Sequence, residues 1–180
     1  FYRVLYRVLM DTGMRPGEAM ALTWRDLDMS GGTIKVEKAI TKDANGQAVV
    51  STPKTKGSSR LLPMFGLEDL LLAHHRWQVE TGMDASSLVF TNQDGGMVKP
   101  WTFNVRELDR VTAAAGITKR VTLYTFRHTF ATLHLASGTP LKIVSGWLGH
   151  SSIRQTADTY QHASEDVHVD YAQRHTAWLA

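Results

Sequence analysis

The chain has 180 residues, 43% of them hydrophobic, and 20 Lys and Arg against 17 Asp and Glu give it a net charge of +3. That length predicts one domain with a core of its own, and no apolar run approaches the roughly 18 residues of a membrane span. Cysteine is absent, which excludes disulfides and thiolate metal sites, and the mild basicity permits a nucleic-acid partner without predicting one.

Val4, Leu5, Val8 and Leu9 recur at helical spacing, so the chain opens in a helix that Gly13 ends. Pro16 and Glu18 start a second, short helix that turns Ala19, Met20 and Leu22 inward. Residues 33–63 read as strands. Residues 33–37 alternate with period two, Asn45-Gly46 marks a tight turn, 49–52 form a second strand and 60–63 a third. These predict a small three-stranded antiparallel sheet that needs a helical layer to pack on. The basic stretch 54–60, between the last two strands, reads as a solvated hairpin tip. Helices then follow over 67–80, 101–115, 124–137, 141–148, 153–162 and 165–179, with Leu71, His74 and Trp77 on the inner face of the first. A short extended piece at 88–90 and a turn at Asp94-Gly95-Gly96 come after that first helix. The fold class is α+β, mainly α-helical.

Several residues stand where chemistry is possible, and each has an ordinary alternative. Arg15 sits at a helix start, where free N–H groups and the helix dipole favour anions and a guanidinium can grip a phosphate. It can equally cap its own loop or pair with Glu18. Arg127 shares a helix face with Tyr124 and lies at the edge of an apolar helix, a costly place for a cation without an anionic partner. A buried structural ion pair would also account for it. His128, beside it, reads as a packing or capping residue. His150 follows Leu-Gly at a sharp turn, and Tyr160 comes late on the next helix; a structural histidine and a core tyrosine are the default for each. The eight histidines include no His-Glu-x-x-His or similar ligand spacing, and residues 12–17 lack the lysine and spacing of a nucleotide cradle, so neither metal nor cofactor is expected.

Taken in order, these segments resemble the catalytic domain of the tyrosine recombinases, the phage-integrase family. The resemblance runs from about residue 2 to 170. It is carried by Thr12-Gly13-Met14-Arg15 with Glu18, by Lys54 and Lys56 ahead of Arg60-Leu61-Leu62-Pro63, by Thr125-Phe126-Arg127-His128-Thr129, by Leu148-Gly149-His150-Ser151-Ser152, and by Thr159-Tyr160-Gln161-His162. Each is weak alone; together and in order they are specific. One position departs from the pattern. The family's histidine three residues before the second arginine is here Tyr124, which can donate a hydrogen bond but carries no positive charge.

The resemblance implies the DNA breaking-rejoining fold and a site made of Arg15, Lys54, Tyr124, Arg127, His150 and Tyr160, with Lys56, Glu18 and His162 as secondary candidates. Either lysine fits the hairpin position, and Lys54 is favoured because the family's lysine opens the turn. It implies site-specific recombination: Tyr160 attacks the scissile phosphate to give a 3′-phosphotyrosyl link and a free 5′-hydroxyl, and strand exchange follows without metal or ATP. Relaxation of the type IB topoisomerase kind uses the same chemistry, and a non-catalytic DNA-binding remnant is the alternative outside enzymes. The implied partners are double-stranded DNA attachment sites, a homotetramer on paired sites and DNA-bending accessory proteins, with no membrane. The implied setting is the cytoplasm and nucleoid of a bacterium or its phage. A start at Phe1 predicts a piece of a longer protein, whose N-terminal core-binding domain lies outside this chain. The helix at 165–179 is expected to dock either on its own domain or on a neighbour.

Overall fold

The computed structural model describes residues 2–52, 59–83, 87–103 and 107–160. Helix α1 (Arg3–Thr12) buries Leu5, Val8, Leu9 and Thr12 along one stripe and ends at Gly13, whose φ of 62° is left-handed. Glycine is required there twice over, because a Cβ would also collide with the Phe130 ring of a later helix. Helix α2 (Pro16–Met20) starts on proline, and the Glu18 carboxylate accepts the Arg15 backbone N–H at 2.9 Å.

Among the described residues five short strands follow: β1 (Leu27–Asp28), β2 (Thr33–Val36), β3 (Ala39–Lys42), β4 (Ala48–Ser51) and β5 (Arg60–Pro63). A three-stranded antiparallel sheet is present, in the order β1-β2-β5. Its membership differs from the expectation. Residues 48–51 do not join it but pair with 39–42 in a separate hairpin, with Ile40 opposite Val50. The Asn45-Gly46 turn, with Gly46 at φ 80°, closes that hairpin locally and takes up the 49–52 segment. The central strand β2 is left to pair with β1 on one side and β5 on the other, Ile34 facing Leu27 and Leu62.

The helical layer comprises α3 (Glu68–Glu80), α4 (Pro100–Phe103), α5 (Asp109–Ala114), α6 (Leu123–Ala136), α7 (Leu141–Leu148) and α8 (Ile153–Tyr160). The single helix expected over 101–115 appears as two described segments, α4 and α5. Residues 161–162 and the expected 165–179 helix lie outside the described residues. The main core joins α1, α2, the sheet and α3 through Leu5, Leu9, Met14, Ile34, Leu62 and Leu71. A smaller cluster of Phe130, Ala131, Val144, Leu148 and Tyr160 holds α6, α7 and α8 together. No described helix is long and apolar enough to cross a membrane.

Candidate active site

The last turn of α7 organises the site. Helix α7 buries Val144, Ser145 and Leu148 and stops at Gly149, φ 66°, so that the His150 N–H turns back to the Ser145 carbonyl at 3.2 Å. The final carbonyls of a helix have no partner within it and carry the negative end of its dipole. Here three consecutive ones are met by arginines from three different elements. Arg60 Nε, from the start of β5, donates to Trp147 O at 2.7 Å. Arg127 Nη2, from α6, donates to Leu148 O at 2.8 Å. Arg15 Nη2, from the head of α2, donates to Gly149 O at 3.2 Å.

Arg127 is buried, 5% exposed. Its Nη1 also donates to Gly13 O at 2.9 Å, so one guanidinium ties the C-terminal ends of α1 and α7 together. Its hydrogen-bond partners are thus carbonyls rather than the carboxylate expected for a buried structural ion pair. Burial, then the positive charge of Arg15, push its pKa down to about 10, which leaves it charged at neutral pH.

The cluster's carboxylate is Glu18, which is buried. It pairs with Arg15 Nη1 at 2.9 Å and with Arg60 Nη2 at 2.7 Å, so the Arg15–Glu18 pairing foreseen as an ordinary alternative is present. Burial acts to raise its pKa, but the hydrogen bond and charge of Arg60, then those of Arg15, outweigh that and hold it below the usual carboxylate range. Among the described residues three guanidiniums therefore face one carboxylate, and their surplus is positive. Such a surplus at a partly exposed Arg15 makes a seat for an anion.

His150 follows directly on this turn. Its Nδ1 is 2.7 Å from Thr156 Oγ1. Burial first, then Arg127, Arg15 and Arg60, push its pKa down to about 4, so the ring is neutral at pH 7. Tyr160, 7% exposed at the end of α8, points its hydroxyl at His128 Nδ1, 3.1 Å away. Burial raises its pKa, while Arg127 acts to lower it. Tyr124 is exposed and lines a cleft of about 440 Å³ with Arg15, Gly17, Ile40, Lys42 and Trp101.

Arg15, Glu18, Arg127 and His150 are thus brought together, and the field of Arg127 reaches Tyr160. Lys54, Lys56 and His162 lie outside the described residues. Sequence reasoning missed Arg60, Thr156 and the partnership of His128 with Tyr160. Arg60 corrects the reading of 54–60 as a wholly solvated tip, since its side chain is only 8% exposed. The available signal was strand register: Arg60 stands opposite Val36, which is buried.

The profile of the Phage integrase family matches residues 2–166. The chain belongs to the phage integrase family. A tyrosine recombinase XerC-like protein of Caldanaerobacter subterraneus subsp. tengcongensis is 32% identical over 178 residues, covering 89% of this chain and 45% of that protein. The ICEBs1 integrase of Bacillus subtilis is 30% identical over 180 residues, 96% of this chain and 48% of its own length. The chain therefore spans about half the length of the curated relatives it matches. Among solved structures, the Tn1549 transposon integrase in complex with transposon right end DNA superposes with a TM-score of 0.79 at 22% identity, covering 96% of this chain and 58% of that one. The XerA recombinase superposes at 0.73 and 24% identity, over 95% of this chain and 57% of that one. These likenesses establish the phage-integrase catalytic fold, mainly helical with its small antiparallel sheet. In this member the second-arginine helix carries Tyr124 one turn before Arg127, on the cleft side of the site.

Proposed function

We propose that the chain is the catalytic domain of a site-specific DNA recombinase, or integrase, with Tyr160 as its nucleophile. The observation that carries this reading is the convergence of Arg15, Arg60 and Arg127 on the end of α7, with Glu18 the one carboxylate among them in the described residues. An anion seated there finds fixed donors and no need for reorganisation, which is how a pentavalent phosphorane-like charge is stabilised. Two N–H groups of Arg127 hold carbonyls, and its others remain for non-bridging phosphate oxygens. Arg15, at the exposed side, takes the second share. Neutral His150 hydrogen-bonds the phosphate, and the Tyr124 phenol donates one bond from the cleft where the family's histidine stands.

In the reaction, the Tyr160 oxygen bonds to phosphorus and the bond to the 5′-oxygen breaks. Lys54, or failing it Lys56, protonates that oxygen as it leaves. The phosphotyrosyl bond conserves the phosphodiester, so a second 5′-hydroxyl can reverse the step with neither metal nor ATP. Double-stranded attachment sites, a homotetramer on paired sites, DNA-bending accessory proteins and a nucleoid setting complete the proposal. The relatives' names and the DNA in the Tn1549 complex support the recombinase reading and its DNA partner.

The test is covalent capture in EDTA of a nicked duplex carrying the DNA that borders the chain's own gene. A protein–DNA band on a denaturing gel is expected from the native protein and none from Tyr160→Phe, with DNA binding kept in both. A band from Tyr160→Phe overturns the assignment.

A further inference from the structure

Attack by Tyr160 has a difficulty that the arginines do not solve. A phenol ionises near pH 10, and burial pushes this one higher. Its proton needs somewhere to go. Among the described residues, three side chains near the site are candidates by type. Tyr124 stands where the family has histidine, and a phenol is no base at neutral pH. His150 is neutral, but its Nδ1 is taken by Thr156 at 2.7 Å, and its surroundings hold three guanidiniums that oppose any gain of a proton. His128 is different. Its Nδ1 lies 3.1 Å from Tyr160 Oη, within the reach required of a general base, with ring centroids 5.7 Å apart. The ring is exposed, so a proton taken at one nitrogen can pass to water from the other.

We propose that His128 is the base that takes the proton of Tyr160 during cleavage and returns it during rejoining. The inference rests on Tyr160 being the nucleophile. As the Tyr160 oxygen bonds to phosphorus, the phenolic proton moves to His128 Nδ1, while the 5′-oxygen leaves with a proton from a separate acid, the role given above to Lys54. In rejoining, the incoming 5′-hydroxyl returns its proton to that separate acid, now deprotonated, as it bonds to phosphorus; the bond from Tyr160 to phosphorus breaks and the departing phenolic oxygen recovers its proton from His128. The geometry follows from the sequence: His128 is one residue beyond Arg127 on α6, so the helix that sets the phosphate clamp also sets the base. Among the described residues, the titratable groups that meet His128 are Tyr160 from α8 and His150 from the α7–α8 turn; on its own helix Tyr124 lies one turn earlier and Arg127 is its neighbour in sequence.

The experiment uses the full native protein and the captured nicked duplex described above. His128→Ala and His128→Asn are compared with wild type for the rate of covalent adduct formation between pH 6 and 9, with DNA affinity measured alongside. Asparagine keeps an acceptor oxygen in place of Nδ1 but is not a base. Both variants are expected to bind DNA as wild type does and to form adduct about 100-fold more slowly at pH 7, the scale of general-base loss. Their rates are expected to climb about tenfold per pH unit, since only the tyrosinate already present can react. A 5′-bridging phosphorothiolate, whose leaving sulfur needs no proton, is expected to rescue Lys54→Ala and not His128→Ala. Full activity in His128→Asn would make the contact one of positioning and overturn the base. A faster His128→Ala would make it a latch on an inactive tyrosine and overturn it as well. Absence of adduct from wild type itself removes the nucleophile, and the base falls with it; adduct from wild type and undiminished adduct from His128→Ala removes the base alone.

Discussion

Among the described residues, two buried polar networks rivet this domain, and they are balanced differently. In the first, on α3, Gln78 is fully buried, accepts from Trp24 Nε1 at 3.0 Å and donates to Leu88 O at 3.2 Å. His74 on the same helix meets Val89 O at 2.7 Å. Every group there is neutral and is spent on a neighbour; burial holds the His74 pKa down, so the imidazole stays uncharged. In the second, at the end of α7, three arginines share one carboxylate and three carbonyls. The first network closes on itself and fastens an extended segment to a helix. The second leaves positive charge over, and charge left over in a fixed frame is what a phosphate can use.

The largest effect is expected from Arg127→Ala. It strands the carbonyls of Gly13 and Leu148 and removes the deepest cation. Adduct formation should fall about 10²–10³-fold, the cost of losing one preorganised donor to a developing anion. Stability should also fall by several kcal/mol, about 1–3 for each buried group left unpaired. Urea unfolding and covalent capture on the same preparation separate the two. Wild-type cleavage in this variant would mean the surplus charge is incidental and the two networks are alike.

Glu18→Gln comes next. Removing one partner from a buried charge pair costs about 3–5 kcal/mol. The pH dependence has a definite sign. The folded carboxyl titrates below its ordinary value because the Arg60 and Arg15 interactions outweigh burial. Its contribution is therefore complete above the unfolded value of 4.5 and is lost as pH falls through the folded one. The stability gap between wild type and Glu18→Gln should be widest at pH 7 and shrink below pH 4.5. A gap that does not move with pH would show that the acceptor oxygen lost to the amide nitrogen, not the charge, matters.

Gln78→Leu tests the other network. About 2 kcal/mol should be lost as the Trp24 indole N–H and the Leu88 carbonyl lose their partner. Cleavage of the captured duplex, at a temperature where the variant is folded, should not change. A parallel loss of cleavage would break the distinction between a closed and an open network.

Much of this was legible in the chain. Helical spacing at Val4–Leu9, the Gly13 stop and Pro16 at a helix start place Arg15 without any tertiary knowledge, and Leu148-Gly149 likewise announces the turn before His150. The sheet was harder, since β1 has two residues and β3 ends in Thr41-Lys42, leaving no alternation to detect. What could not be read was convergence. Arg60 is 87 residues from the carbonyl it binds and Arg15 is 134 from its own. Only the pairing of β5 with β2, which sets Arg60 opposite buried Val36, separates it from its basic neighbours. The approach of His128 to Tyr160 depends on how α8 packs across α6, which no periodicity encodes.

Gly149→Ala carries the smallest expected cost in stability and sharpens the comparison most. A left-handed residue with a side chain is strained by about 1 kcal/mol. The added Cβ would also come within 2.7 Å of Arg60 Nη1. That contact is with the end of a flexible side chain, so the guanidinium can give way and the fold survives. In giving way it must loosen its bonds to Trp147 O and Glu18, and Glu18 in turn helps to hold Arg15. A methyl group that touches no substrate should thus slow adduct formation several-fold while lowering the unfolding midpoint by only a few degrees, about 2–4 °C for each kcal/mol lost. An equally small distortion of the Gln78 network should show in the midpoint alone. Unchanged cleavage in Gly149→Ala would mean that Arg15 is held by its own helix start, and that the three arginines do not act as one frame.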